Sequence, residues 1–225
     1  MRKVRLFYNL IGKESVYLFL LLLLSIFFLC FRGDCNIVRD ICLSLISAVI
    51  IYFITTVVPQ YKQRKVKLIF FRDRLYNILE GGKMIFRNIY TTEELVCNPT
   101  IIDGIPSIDL INEACKKLDL RIAPSVYFYT VDEIPSWNLL FNRYLLIIDN
   151  SIAEMVSIAN NEDICTINIC DKTRRVTREL QNRVSCILGS SANPLMEIKG
   201  DYICADLHKL ADNLREIDKI YNYYS

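Results

Sequence analysis

Few residues in this sequence have the type and spacing that acid–base or nucleophilic chemistry requires. The only histidine is His208, in the segment DLHKLAD, with Asp212 one helical turn further on. A Ser-His-Asp or Cys-His mechanism would require His208, but a histidine beside an acidic residue on a helix surface is usually an ordinary solvated group. The carboxylates show no paired spacing, and they include Asp103, Asp109, Glu113, Asp132 and Glu133. The sequence therefore predicts no catalytic residue and a protein that is not an enzyme.

Motifs for metal and phosphate binding are missing as well. Cys165 and Cys170 form a C-x4-C pair, but no second pair follows at zinc spacing. The seven glycines form neither G-x-x-x-x-G-K nor G-x-G-x-x-G, the loops that cradle phosphate groups. We expect no metal and no cofactor, and the sequence identifies no small-molecule substrate.

Two apolar segments near the N-terminus, Val16–Phe31 and Ile41–Val58, contain no charged residue. The second would form a helix of about 27 Å, close to the thickness of a hydrocarbon core of about 30 Å. A lone pair of strands would leave backbone groups unpaired in lipid, so both segments must be helical. The first segment is long and lacks an A-x-A-like cleavage site, which favours an anchor over a signal peptide. Residues 16–58 are thus predicted to form a transmembrane helical hairpin, with spans 16–31 and 41–58 and an external loop 32–40.

Basic residues flank this hairpin on both sides. The connecting loop carries only Arg32 and Arg39, which Asp34 and Asp40 counter. The positive-inside rule therefore places both termini in the cytoplasm and predicts a multi-pass membrane protein. The flanking residues could also contact anionic lipid headgroups; they are Arg2, Lys3 and Arg5 within the basic N-terminal segment 1–15, and Lys62, Arg64, Lys65 and Lys67 after the second span.

Small and hydroxylated residues line one face of the second span. Ser44, Ala48 and Thr55 stand four and seven positions apart. Such a face allows close helix approach and hydrogen bonds between helices. It could pack against the first span of the same chain, or it could join protomers in a homo-oligomer.

The rest of the chain is predicted to be a cytoplasmic domain. Residues 59–90 form a juxtamembrane amphipathic helix whose apolar stripe is interrupted at Gly81-Gly82. Residues 91–225 are long enough to hold a core of their own. Further helices are predicted over Ser107–Leu118 with Ser107 as the cap, Ser136–Asn160, Asp163–Leu188 ending at Gly189, and Ala205–Tyr223, together with a short strand over Val126–Val131 and a small hairpin around Lys199-Gly200-Asp201. The predicted fold class is mostly α, with a transmembrane hairpin, a helical cytoplasmic domain and a few short strands.

Residues that face inward are predicted from helical spacing. In Ser136–Asn160 they are Leu140, Tyr144, Ile147, Ile148, Ile152, Met155 and Ala159, and in Asp163–Leu188 they are Val176, Leu180, Val184 and Ile187. The six cysteines from Cys97 to Cys204 are expected to be reduced thiols that serve as small core residues.

The outer face of Asp163–Leu188 is basic and carries Arg174, Arg175, Arg178 and Arg183. Glu179 stands four residues from Arg175 and from Arg183, a spacing typical of a solvated, salt-bridged helix face. The alternative is a contact surface for an acidic or nucleic-acid partner.

This layout resembles the two-transmembrane effectors of bacterial antiphage systems, including the SLATT-type effectors and those encoded beside retron reverse transcriptases. The likeness covers the hairpin with cytoplasmic ends, the basic exit helix and the helical domain without catalytic motifs, but it includes no diagnostic motif. It implies a toxin in the bacterial inner membrane, held inactive by a partner such as a reverse transcriptase with its nucleic acid. On infection such a toxin perturbs or permeabilises the membrane and arrests growth. The alternative from a different class is a non-catalytic tether whose helical domain recruits a partner protein.

Overall fold

The computed structural model describes residues 13–32, 36–90, 104–122, 124, 136–160, 163–190 and 199–224. These residues are mostly helical and contain no strand, and Asp119 and Lys199 form an isolated antiparallel bridge. The helices are α1 (Lys13–Arg32), α2 (Asn36–Tyr52), α3 (Val58–Asn88), α4 (Ile108–Lys117), α5 (Trp137–Ile158), α6 (Ile164–Ser190) and α7 (Asp201–Tyr224), with a π-helical turn, Phe53–Val57, between α2 and α3. The mostly-α prediction is confirmed. The predicted strand Val126–Val131 lies outside the described residues.

The chain divides into two compact units, Met1–Ile69 and Phe70–Ser225. In the first unit, α1 and α2 pack against each other. The continuous helical segment Asn36–Asn88 is long and apolar enough to cross a membrane, and Tyr17–Phe31 is a shorter apolar helix. The predicted loop 32–40 is too long, because Asn36–Asp40 already belongs to α2.

The π-helical turn Phe53–Val57 accounts for the continuity between α2 and α3. The N–H of Val58 bonds to the carbonyl oxygen of Phe53, one residue further back than in an α-helix. Pro59 follows directly, and a proline ring in a helix collides with the carbonyl four residues before it. The wider turn accommodates this ring, so the helix continues through Pro59.

The second unit has its own hydrophobic core, built from α3 to α7. Helix α5 packs against α6, α6 against α7, and α4 against α7. Most of the predicted inward side chains are buried or packed against this core, including those of Tyr144, Ile148, Met155, Leu180 and Val184. Ile147 is the exception, with 38% of its surface exposed. Helical spacing puts it at the edge of the buried face of α5, whereas Phe141, Leu145 and Ile148 lie within that face.

Two predicted helix starts are confirmed by their caps. The Ser107 hydroxyl accepts a hydrogen bond from the Leu110 N–H at 3.4 Å. Ser136 does the same for the Leu139 N–H at 3.1 Å. Each hydroxyl satisfies one of the amide groups that the first turn of a helix leaves without a partner.

Helix α3 runs through Gly81-Gly82 without a break, over most of the range 59–90 predicted for the juxtamembrane helix. Two expectations about turns are wrong. Helix α6 does not end at Gly189 but continues to Ser190. The hairpin around Lys199-Gly200-Asp201 does not form, because α7 begins at Asp201. Instead, the Gly200 N–H donates to the Leu118 carbonyl at 2.8 Å, which fastens the start of α7 to the end of α4.

Candidate functional site

The predicted small-residue face lies in the first unit. Ser44, Ala48 and Thr55 are all exposed, whereas Cys42 and Val49 are the buried residues of α2. The Thr55 hydroxyl donates to the Ile51 carbonyl at 2.8 Å within its own helical segment. The face is therefore accessible in the single chain.

Large apolar side chains cover the outside of the two apolar helices. Among the most exposed are Tyr17, Leu24, Phe31, Ile41, Ile51 and Ile54. Water solvates such surfaces poorly, at a cost of roughly 25 cal/mol per Å². A contiguous surface of this kind marks an interface with a membrane or with another protein.

Of the predicted headgroup-binding residues, those on α3 are described. Lys62, Arg64 and Lys65 are exposed, and Lys67 is half-buried. Arg2, Lys3 and Arg5 lie outside the described residues. The described members form a basic stretch directly after the apolar part of the helix.

The arginine surface of α6 is largely engaged with its own domain. Arg174 and Arg178 each reach Asp149 on α5, with nitrogen–oxygen distances of 3.4 Å. Arg174 also pairs with Asp171 at 2.7 Å. These arginines fasten α6 to α5, beside a hydrogen bond between Gln181 and Asn142.

Arg183 reaches in the opposite direction, to α7. Its Nε lies 2.7 Å from Asp206 Oδ2, and Lys209 pairs with the other oxygen of the same carboxylate at 3.1 Å. The Asp206 side chain is only 2% exposed, so its charge requires partners of this kind. Within the described part of the chain, Glu179 forms neither of its predicted i,i+4 pairs and Arg175 has no ion-pair partner. Arg178 and Arg183 are exposed as well, but Arg175 is the arginine of this surface whose charge is not engaged by a described residue.

A cavity of about 560 Å³ lies between α3 and α5. Tyr144, Gly81 and Ile147 contribute to its apolar wall, and charged groups form part of its rim. Arg74 and Glu154 on that rim pair with each other at 2.6 Å. The volume suits a small ligand or an inserted side chain, and the paired charges favour a group without net charge.

A thiol and the single histidine come together on the first turns of α7. The Sγ atom of Cys204 lies 3.6 Å from His208 Nε2 and 3.2 Å from the Asn112 side-chain oxygen on α4. Cys115, one helical turn after Asn112 on α4, is fully buried and interacts electrostatically with Cys204. Sequence analysis assigned His208 to Asp212 and overlooked Cys204, although a spacing of four residues places Cys204 and His208 on one face of a helix.

The cysteines of the second unit differ in environment. Cys115 and Cys170 are buried core residues as predicted, but Cys165 and Cys186 are exposed and Cys204 is half-buried. Burial, followed by the adjacent Asp171, raises the pKa of the Cys170 thiol to about 12. Burial also raises the pKa of Cys115 well above its ordinary value, and the neighbouring Cys204 adds to this effect. Within the described residues, no group of three or more His, Cys, Asp or Glu side chains could hold a metal ion.

The chain matches no protein-family model, no curated protein and no solved structure. Its function therefore has to be inferred from its own residues and contacts.

Proposed function

We propose that this chain is a membrane-embedded effector in which α1 and the apolar part of Asn36–Asn88 form a transmembrane helical hairpin. The exposed apolar surface of these helices, uncharged over two successive segments, is the observation that carries the proposal. Burying that surface in lipid removes it from water. The basic residues after the second span keep both termini in the cytoplasm of a bacterium, by the positive-inside rule.

The second unit is the sensing part of this effector. It has a closed core of its own and is fastened by buried or shared ion pairs such as Arg183–Asp206, so it can bind a partner without depending on the apolar helices for its fold. Its accessible contact sites are Arg175 and the cavity beside Tyr144.

Activation proceeds through association of the hairpins. The face formed by Ser44, Ala48 and Thr55 is exposed in the single chain, and small residues permit helices of separate protomers to approach closely. The resulting leak is poorly selective, since the two spans supply no charged ring. The cell loses its membrane potential and stops growing.

The biological setting that we propose is bacterial antiviral defence. The support is the likeness in layout to two-transmembrane effectors of the SLATT and retron-associated kinds. In such a system a partner, for example a reverse transcriptase with its nucleic acid, restrains the toxin until infection, and its release leads to abortive infection.

The experiment that tests the effector is an exchange of anchors. The full chain is induced in a bacterium beside a chimera in which residues 1–58 are replaced by an unrelated two-helix anchor, and membrane potential, dye entry and growth are followed. We expect depolarisation with the native helices and none with the chimera, at equal membrane abundance. Equal depolarisation by both chains would reject the effector.

A tether is the second candidate. The observation that favours it is the compactness of Phe70–Ser225, which forms a unit of its own. In a tether the apolar helices only anchor, and the second unit recruits a partner protein. The chimera would then retain every function of the native chain, and the membrane would stay intact with either anchor.

The variant Arg175→Glu tests whether the arginine surface of α6 binds a partner. Reversing Arg174 or Arg178 would also break their pairs with Asp149, so a loss of binding by those variants could be structural. Arg175→Glu avoids this, because Arg175 is exposed and has no ion pair to a described residue. We expect it to weaken binding of single-stranded nucleic acid and to reduce the salt dependence of that binding. Unchanged binding at every salt concentration would remove nucleic acid as the partner of this face.

A further inference from the structure

The junction of α4 and α7 holds two thiols and the only histidine of the chain. Cys204 is half-buried, and its Sγ lies 3.6 Å from His208 Nε2. The side-chain oxygen of Asn112 lies 3.2 Å from the same sulfur. The proton of the Cys204 thiol can therefore be directed to either of two acceptors, and one of them is a base.

Cys115 supplies the second thiol. It is fully buried on α4, one helical turn after the Asn112 that contacts Cys204, and it interacts electrostatically with Cys204. Because burial raises the pKa of Cys115, this thiol is not the first to react. The thiolate is the reactive form of a cysteine, and Cys204 is the thiol with a base beside it to accept its proton.

The exposed cysteines of the same unit lack this arrangement. Cys165 and Cys186 are more exposed than Cys204, yet the single histidine lies at Cys204. Exposure alone thus predicts faster oxidation of Cys165 and Cys186, whereas the base beside Cys204 predicts faster oxidation of Cys204. The contrast provides a comparison inside one molecule.

We propose that Cys204 and Cys115 form a peroxide-reactive dithiol, in which His208 accepts the Cys204 proton and Cys115 resolves the oxidised sulfur to a disulfide. The substrate class is a small hydroperoxide, with hydrogen peroxide as the simplest member. This inference does not depend on the proposed membrane function.

The reaction takes place in two steps. The Cys204 thiolate attacks one oxygen of hydrogen peroxide, the O–O bond breaks, and the departing hydroxide takes the proton held by His208, leaving water and a sulfenic acid on Cys204. The Cys115 sulfur then attacks the Cys204 sulfur. An S–S bond forms, the S–O bond breaks, and the hydroxide leaves as water with the Cys115 proton. Two thiols are oxidised by two electrons in total, and one peroxide is reduced to two waters.

The disulfide would link α4 to α7 covalently. These helices already pack against each other, and the Gly200 N–H bonds to the Leu118 carbonyl beside them. A disulfide requires sulfur atoms about 2.05 Å apart, so the two neighbouring thiols have to move together before the bond forms. A thiol reductant such as glutathione would reverse the link by exchange.

The test treats the purified full chain in detergent with a small excess of hydrogen peroxide, digests it, and follows each cysteine by mass spectrometry. We expect a Cys115–Cys204 cross-linked peptide that dithiothreitol removes, formed before Cys186 is oxidised. In Cys115→Ala, oxidation should stop at a sulfenic acid on Cys204, which dimedone traps. In His208→Gln, the Cys204 rate should fall by about tenfold or more, since general-base assistance is commonly worth at least that much, while the Cys186 rate stays the same.

The comparison of Cys204 with Cys186 in the native chain requires no variant to fold. Oxidation of Cys186 at or above the Cys204 rate, without the cross-linked peptide, would overturn the proposal. So would an unchanged Cys204 rate in a His208→Gln protein whose helix content equals that of the native chain.

Discussion

The hydroxyl of Tyr144 on α5 donates a hydrogen bond to the Ile78 carbonyl on α3 at 3.0 Å, in the interior of the second unit. The two helices come close at this point because Gly81 and Gly82 have no side chains. A Cβ atom at Gly81 would lie 2.5 Å from the Tyr144 ring, and one at Gly82 would meet Leu214. The glycine pair that interrupts the apolar stripe is therefore a site of close packing between helices.

The first prediction follows from this contact. Gly81→Ala should destabilise the protein by about 1–3 kcal/mol, since the Tyr144 ring must move from a packed position. Gly189→Ala is the matched control, because α6 has open space around Gly189; there, the higher helix propensity of alanine should stabilise by up to about 1 kcal/mol. Denaturant unfolding of both variants measures the difference, and equal shifts in the same direction would contradict it.

The second prediction concerns the buried carboxylate of Asp206. Arg183→Met should lower the free energy of unfolding by roughly 1–2 kcal/mol, because it leaves Asp206 with Lys209 as its remaining cation. The loss is smaller than for a fully buried pair, since the Arg183 side chain is half exposed. Arg175→Met is the control, and a change within about 0.5 kcal/mol is expected there. The same loss in both variants would mean that the pair with Asp206 contributes nothing specific.

The third prediction is a dependence of stability on pH. The Cys170 thiol has a pKa raised from 9.0 to about 12 by burial and by Asp171. An unfolded chain therefore loses this proton above pH 9 while the folded chain keeps it, so the thiol favours the folded state less and less from pH 9 to about 12. Cys170→Ala should make the fall in melting temperature over this range shallower than in the native chain. A slope identical to that of the native chain would show that Cys170 has no part in it.

The fourth prediction concerns self-association of the apolar helices. Leucine at both Ser44 and Ala48 should weaken oligomerisation by roughly tenfold, since contacts of this size in membranes contribute about 1–2 kcal/mol. The matched control is leucine at Ile50 and Ile54, which are exposed elsewhere on the same helical segment. Cross-linking in vesicles gives the fraction of oligomer. Intact association and intact toxicity in the Ser44/Ala48 variant would rule out this face.

Much of the fold could be predicted from the sequence because it depends on local patterns. Apolar residues at helical spacing locate α5 and α6 to within a few residues, and a serine before each apolar stripe correctly marks the starts of α4 and α5. Charge placement around uncharged segments predicts the membrane topology that we propose. Each of these signals lies within one segment of the chain, so no knowledge of other segments is required.

Contacts between segments could not be predicted in this way. Arg175 and Arg183 stand at the right spacing for pairs with Glu179, yet Arg183 pairs instead with Asp206 on α7, a carboxylate that is withdrawn from water. Arg174 and Arg178 pair with Asp149, because this carboxylate on the neighbouring helix α5 is close to both. Cys204 and His208 share a helix face that the sequence already specifies. The approach of Cys115 and Asn112 from α4 was decided by tertiary packing alone, since burying the apolar faces of α4 and α7 against one core brings residues about 90 positions apart into contact.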